Sequence, residues 1–206
     1  TSLDWRRGKQ PRVLAFDTGP ANVLLDLAMR HFTAGRQSCD RDGQLAAHGK
    51  VCEPLLKRWL RQPFFRKTPP KSTGRELFGE KFLRPALAEM KRLRLTPPDF
   101  LATLVEFTAR SLALNYRLHL PAPPDWVVLC GGGAKNPLLV TRVATCLKEA
   151  ARQIVVLGSA GLGWPAQAIE PAAFALLAWR RWHRLPGNLP RTTGARRTVL
   201  CGQITG

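Results

Sequence analysis

The sequence predicts an α/β fold, on three observations. Residues 126–130 (Trp126, Val127, Val128, Leu129, Cys130) and 154–157 are short apolar runs with the β-branched content of buried strands. Gly131, Gly132 and Gly133 join the first run to a helical pattern over about 136–151. A second helical pattern, 172–182, follows the second run. The order strand, glycine turn, helix, strand, helix is that of α/β proteins. At 206 residues, 45% hydrophobic and 22% charged, the chain is long enough to bury one sizeable core.

The earlier elements follow from the same logic. Val13, Leu14, Ala15 and Phe16 form an apolar run closed by Asp17, Thr18, Gly19 and Pro20, which reads as a strand entering a turn. A helix follows over 22–31 with Leu24, Leu27 and Ala28 on one face, then a polar loop over 33–43. Leu55, Leu56, Trp59 and Leu60 recur at amphipathic-helix spacing. Thr73 and Glu76 fit a capping box, in which hydroxyl and carboxylate satisfy the free amides of a helix start, so a helix is predicted from there to about Leu93. Asp99 opens another, which carries Leu101, Leu104, Val105, Leu112 and Ala113 inward, and the prolines at 121, 123 and 124 break the chain after it. Residues 187–190 end the last long helix, and 198–204 read as a final strand.

Charge needs a decision. Lys and Arg number 32 against 14 Asp and Glu, a net charge of +18, which attracts polyanions. The basic residues are dispersed in twos and threes over predicted solvent faces, with no zinc finger, aromatic RNA-binding strand or compact recognition helix, so nucleic acid is not the expected partner. The five cysteines include no CxxC pair; they read as small core residues, and no metal site is expected. No apolar run approaches the roughly 20 residues that cross a bilayer, so no membrane is expected either. Residues 1–12 lack both a starting methionine and an apolar leader. The expectation is a cytoplasmic location and a chain that begins inside a longer protein.

Three segments have the makings of chemistry. Asp17, before a Gly-Pro turn and a helix, holds a carboxylate at a strand tip, where it serves as a general base or simply closes a turn. Gly131, Gly132 and Gly133 admit a close ligand, and the helix start after them offers free amides to a phosphate or ribose; a structural tight turn fits equally well. The spacing is not that of a Rossmann dinucleotide site. In residues 69–76, Lys71 and Arg75 are candidate contacts for an anion, with an ordinary loop and cap as the alternative.

Taken together and in this order, these segments resemble the anhydro-N-acetylmuramic acid kinase family. Residues 16–22 with Leu24, Leu25 and Asp26 are similar to its FDTGPGN-x-LLD segment, and Asp40, Asp42, Gly43, Ala46 and Gly49 to its D-x-DG-x-x-A-x-x-G stretch. Residues 69–76 match its PPKSTGRE run unchanged. Ala102 to Leu104, Thr108, Ala109, the three glycines with Asn136, Glu170 with Ala173 to Ala175, and residues 187–190 with 193–195 complete the resemblance, which covers nearly the whole chain.

The resemblance implies the carboxy-terminal lobe, ribonuclease-H-like with a mixed sheet flanked by helices, of a two-lobed kinase of the actin/hexokinase/Hsp70 type. Its members open the 1,6-anhydro ring of the cell-wall sugar and phosphorylate O6 from ATP with Mg2+, in peptidoglycan turnover and amino sugar recycling. Carried over, Asp17 activates water; Glu170, Gly19, Pro20 and Asn22 bind the sugar; Gly131, Gly132, Gly133 and Asn136 line the nucleotide cleft. The implied partners are the sugar, ATP, the amino-terminal lobe absent from this sequence, and a second copy of the chain. On this reading residues 1–206 form one lobe, inactive alone. The competing readings are a non-catalytic nucleotide- or sugar-binding remnant and a basic nucleic-acid binder. Thr1 to Asp4 imitate the phosphate loop of the other lobe, with Trp5 where that loop has glycine; coincidence is the reading taken. Three departures are local: Ala21 replaces a glycine, Pro171 replaces the alanine after Glu170, and residues 159–161 lack the expected acidic groups.

Overall fold

The structure is a computed structural model that describes residues 2–4 and 12–205. It is mixed α/β and mainly helical. Strands β1 (Ser2–Asp4) and β2 (Arg12–Leu14) pair antiparallel. Helices α1 (Val23–Phe32), α2 (Gln44–Ala47), α3 (Glu53–Trp59), α4 (Glu80–Arg92) and α5 (Pro97–His119) follow. Then come β3 (Trp126–Leu129), α6 (Pro137–Ala150), β4 (Val155–Gly158), α7 (Ile169–Trp182) and α8 (Pro190–Thr193).

Helix α5 is the spine. Thr96 and Asp99 form a capping box at its start, each side chain accepting the other's backbone N–H at 3.3 and 3.1 Å. Its residues 100–109 are buried in an unbroken row, because α1, α2, α3 and α6 pack around it. Against it Trp59, Phe65, Phe78, Phe82, Phe100 and Phe107 gather into a cluster of rings about 5.4–6.1 Å apart. Edge-to-face and stacked pairs of this kind add to the burial energy of the rings. Among the few buried polar groups, Glu106 is held by Arg110 at 2.6 Å and Arg142 at 2.7 Å, which ties α5 to α6.

The order β3, α6, β4 is the predicted crossover unit, with Val127 opposite Val156 in parallel register. Val127, Leu129 and Val156 turn to the core, whereas Trp126, Val128 and Val155 on the other face are exposed. Among the described residues β1–β2 and β3–β4 are two separate two-stranded sheets, so the single mixed sheet is not formed by them.

Three local expectations are corrected. No helix starts at Thr73: α4 begins at Glu80, and the Glu76 carboxylate instead accepts the Gly74 N–H at 2.5 Å. Residues 2–4, whose likeness to a phosphate loop reads as coincidence, form β1, while Thr1 and Trp5 lie outside the described residues. Residues 198–204 form no strand, although Val199 bonds to both Gly187 and the Asn188 side chain. Of the five cysteines only Cys146 is buried; burial first, then the nearby Glu106 carboxylate, pushes its thiol up to about 11. Pro171 stands third in α7, inside the first turn, where its missing N–H has no intrahelical partner to lose.

Candidate functional site

The chain end of β2 carries Asp17 into solvent, anchored at two points. The Asp17 N–H donates to the Lys71 carbonyl at 3.1 Å, and its Oδ2 accepts the Thr73 N–H at 2.8 Å. The Thr73 amide is therefore committed to Asp17, which is why no capping box forms there. Gly19 sits so close to α5 that an added Cβ would lie 2.5 Å from the Ser111 Oγ. Its φ of 152° is also a conformation that side chains avoid. Pro20 is buried behind it. Ala21 adopts a left-handed φ of 47°, so the residue standing where the family pattern has glycine is strained, and its carbonyl accepts the Thr108 hydroxyl at 3.0 Å.

Asn22 links two of the sequence motifs. It precedes α1 without capping it through its side chain, which lies against the glycine turn: a Cβ on Gly133 would meet the Asn22 Oδ1 at 2.6 Å, and one on Gly132 its Nδ2 at 3.6 Å. Gly131 holds a left-handed φ of 78°, and its N–H donates to the Ala166 carbonyl at 2.9 Å. Asn136 caps α6 by accepting the Leu139 N–H at 3.1 Å. A cavity of about 280 Å³ opens between the two segments, lined by Phe16, Asp17 and Gly19 on one side and Val128, Leu129 and Cys130 on the other. The sequence-predicted base and the strand end that leads into the glycine turn thus line one groove at the carboxyl end of β3, where ligands bind in open α/β sheets.

The remaining candidates fall differently. Lys71 corrects the expectation of an anion contact: its ammonium is turned inward, to the carbonyls of Phe64 (3.2 Å) and Phe65 (3.1 Å), the Asn115 Oδ1 (2.5 Å) and the His119 Nε2 (3.1 Å). Burial pushes its pKa down. Arg75 is exposed and lies near Asp26 of α1, whose carboxyl is pushed up by burial even though Arg30 and Arg75 pull it down. Glu170 is exposed in the first turn of α7; among the described residues its tie to the groove is indirect, through the Gly131–Ala166 bond four residues earlier.

The D-x-DG-x-x-A-x-x-G stretch is scaffolding. Asp40 caps α2 by accepting the Leu45 and Ala46 N–H groups, both at 2.9 Å. Gly43 leaves room for Asn136, and a Cβ on Gly49 would strike the backbone of Pro98 at the start of α5. Sequence reasoning missed Ser111, Asn115 and His119. Their signal was present: with Thr108 they recur every three or four residues, a polar stripe along one side of the helix.

Among the described residues no group of three or more His, Cys, Asp or Glu could hold a metal ion, and no helix is long and apolar enough to cross a membrane.

An exposed carboxylate and a strand end that line one groove beside a glycine turn are the features of this α/β fold that bear on function. Residues 8–206 match the profile of the anhydro-N-acetylmuramic acid kinase family, and the chain belongs to that family. A Cyanothece sp. protein of that name is 50% identical over 192 residues, 93% of this chain and 50% of the relative. Another from Acaryochloris marina is 46% identical with the same coverage, and one from Microcystis aeruginosa is 42% identical over 97% of this chain and 52% of the relative. The chain therefore spans about half the length of the curated relatives it matches.

Proposed function

We propose that this chain is the ribonuclease-H-like carboxy-terminal lobe of an ATP-dependent kinase that hydrolyses the 1,6-anhydro ring of anhydro-N-acetylmuramic acid and phosphorylates O6, acting in the cytoplasm in cell-wall recycling. The observation that carries the reading is the groove itself. Asp17 is exposed rather than closed into a core and lines the cavity with the end of β3, and Asn22, next to the cavity-lining Ala21, lies against Gly132 and Gly133.

In this reading Asp17 takes a proton from the water that attacks C1, while Thr73 fixes its second oxygen through the backbone. Gly19, Pro20 and Asn22 shape the sugar wall, and Glu170 closes it from α7. Gly131, Gly132, Gly133 and the capped start of α6 at Asn136 face the nucleotide. Phosphoryl transfer depends mainly on positioning and charge neutralisation. Mg2+ would come with the ATP phosphates and neutralise their charge; among the described residues Asp17 is the one carboxylate lining the groove.

The bare apolar faces support the one-lobe reading. Phe174, Leu176, Trp179 and Trp182 of α7 are each more than half exposed, as is Trp126 of β3, and a parallel sheet is normally covered on both faces. The other half of the full-length family protein is the proposed cover; a second copy of this chain is the competing occupant.

The test joins this chain to the half of the Cyanothece relative that it does not match and measures ADP release with ATP, Mg2+ and the anhydro sugar. The chimera is expected to turn over and the chain alone is not. Robust turnover by the chain alone would overturn the one-lobe reading. A folded chimera that binds ATP without turnover would favour a non-catalytic remnant.

A further inference from the structure

Lys71 is a half-buried cation that, among the described residues, forms no ion pair with a carboxylate. Its neighbours are two backbone carbonyls, an amide oxygen and an imidazole nitrogen, with the Phe64 ring 4.8 Å and the Phe16 ring 5.9 Å from the ammonium. Taking a charge out of water without an opposite charge is costly, so its placement requires what an ammonium alone offers: three donors radiating from one point. Asn115, fully buried, passes the grip on. Its Oδ1 accepts from Lys71, while its Nδ2 donates to the Ser111 carbonyl at 2.8 Å and to the Thr18 carbonyl at 3.2 Å, one residue from Asp17. Residue 71 also supplies the carbonyl that accepts the Asp17 N–H, and Thr73, two residues on, donates to the Asp17 carboxylate. Asp17 is thereby held from both sides by one knot.

We propose that Lys71, with Asn115 as its relay, is a positioning residue that fixes the Asp17 carboxylate at the groove rim by clamping residues 64–65, the turn after β2 and the loop at 71–73 onto α5. It acts on the reaction through Asp17 and touches neither phosphate nor sugar. The link to catalysis rests on the kinase reading; the clamp itself does not.

The test compares amide hydrogen exchange in this chain with that of the Lys71→Met and Asn115→Asp variants. In Lys71→Met the Asp17 and Thr73 amides are expected to exchange about tenfold faster or more, the effect of losing charge-assisted hydrogen bonds on a local opening equilibrium. Core amides such as those of Leu104 and Phe107 should be unchanged. Asn115→Asp keeps an acceptor for Lys71 and loses the donor to Thr18, so acceleration should again centre on Asp17. If Lys71→Met fails to fold, Asn115→Asp decides alone. Unchanged exchange at Asp17 and Thr73 overturns the clamp. So does a Lys71→Met protein that keeps this protection but loses the amide shifts produced by inorganic triphosphate, since that is the signature of an anion contact. In the chimera, Lys71→Met should lower kcat at unchanged KM for ATP; a raised KM with kcat intact would contradict positioning. Should exchange behave as expected while no variant or parent chimera turns over, the clamp stands and the kinase reading fails.

Discussion

The two ends of the chain bury their apolar residues in opposite ways. Around α5 the aromatic side chains of α3, α4 and residues 64–78 enclose one another, and Phe65, Phe78, Phe100 and Phe107 are almost wholly removed from water. In α7 no described residue is buried, and Phe174 and Trp182 remain 65% and 72% exposed. Both segments have helical apolar periodicity. The difference lies in the partners available: four helices pack around α5, whereas the apolar faces of α7 and of β3–β4 stay largely exposed among the described residues. Periodicity in a sequence marks a face to be covered, and a fold must supply the cover.

This contrast is open to test, beginning with the largest effect. Phe107→Ala should cost about 4 kcal/mol in urea unfolding, as a large-to-small change in a packed core does. Trp182→Ala should change stability by less than about 0.5 kcal/mol in this chain, because an exposed site has little to lose. Equal losses at the two positions would show that α7 is packed in solution.

Glu106→Gln comes next, at about 3 kcal/mol, since it leaves Arg110 and Arg142 without their shared buried carboxylate. Burial raises the Glu106 pKa, but the hydrogen bonds and charges of Arg142 and Arg110 outweigh it and hold the carboxyl below its ordinary value. A folded-state pKa below the unfolded one gives stability that is complete above the ordinary carboxylate range and is lost as pH falls through the depressed value. The acid limb of a stability–pH profile should therefore flatten in Glu106→Gln, and an unchanged limb would rule out this source.

Gly19→Ala should cost about 2 kcal/mol, through both the clash with Ser111 and a backbone conformation closed to alanine. The smallest effect runs the other way. Ala21→Gly should stabilise by about 0.5 kcal/mol, because relief of the left-handed strain exceeds the added freedom of the unfolded chain. Thermal melting of the two variants reads both signs.

How much of this was legible in the sequence depended on range. The crossover β3–α6–β4, the helix around Leu104 and the glycine turn rest on local periodicity and turn chemistry, and they stand where expected. The failures arose where a group is committed to a distant partner. Thr73 and Glu76 have the spacing of a capping box, yet Thr73 bonds 56 residues back to Asp17 and no helix starts there. Lys71 has the look of an exposed anion contact, yet its ammonium bonds to α5, 44 residues on. At the site, Asp17 and the glycines could be singled out from sequence, but Asn22 as the link between them required coordinates. Glu170 has only the indirect tie through Ala166 among the described residues, and its sugar-binding role rests on the kinase reading.

The most direct test of the central claim is the kinase turnover of the chimera carrying Asp17→Asn. This variant keeps an oxygen for the Thr73 N–H and removes the base. The kcat is expected to fall by about 10²–10⁴, the usual contribution of a positioned general base, with KM for ATP unchanged. Turnover within twofold of the parent would show that Asp17 closes a turn and nothing more.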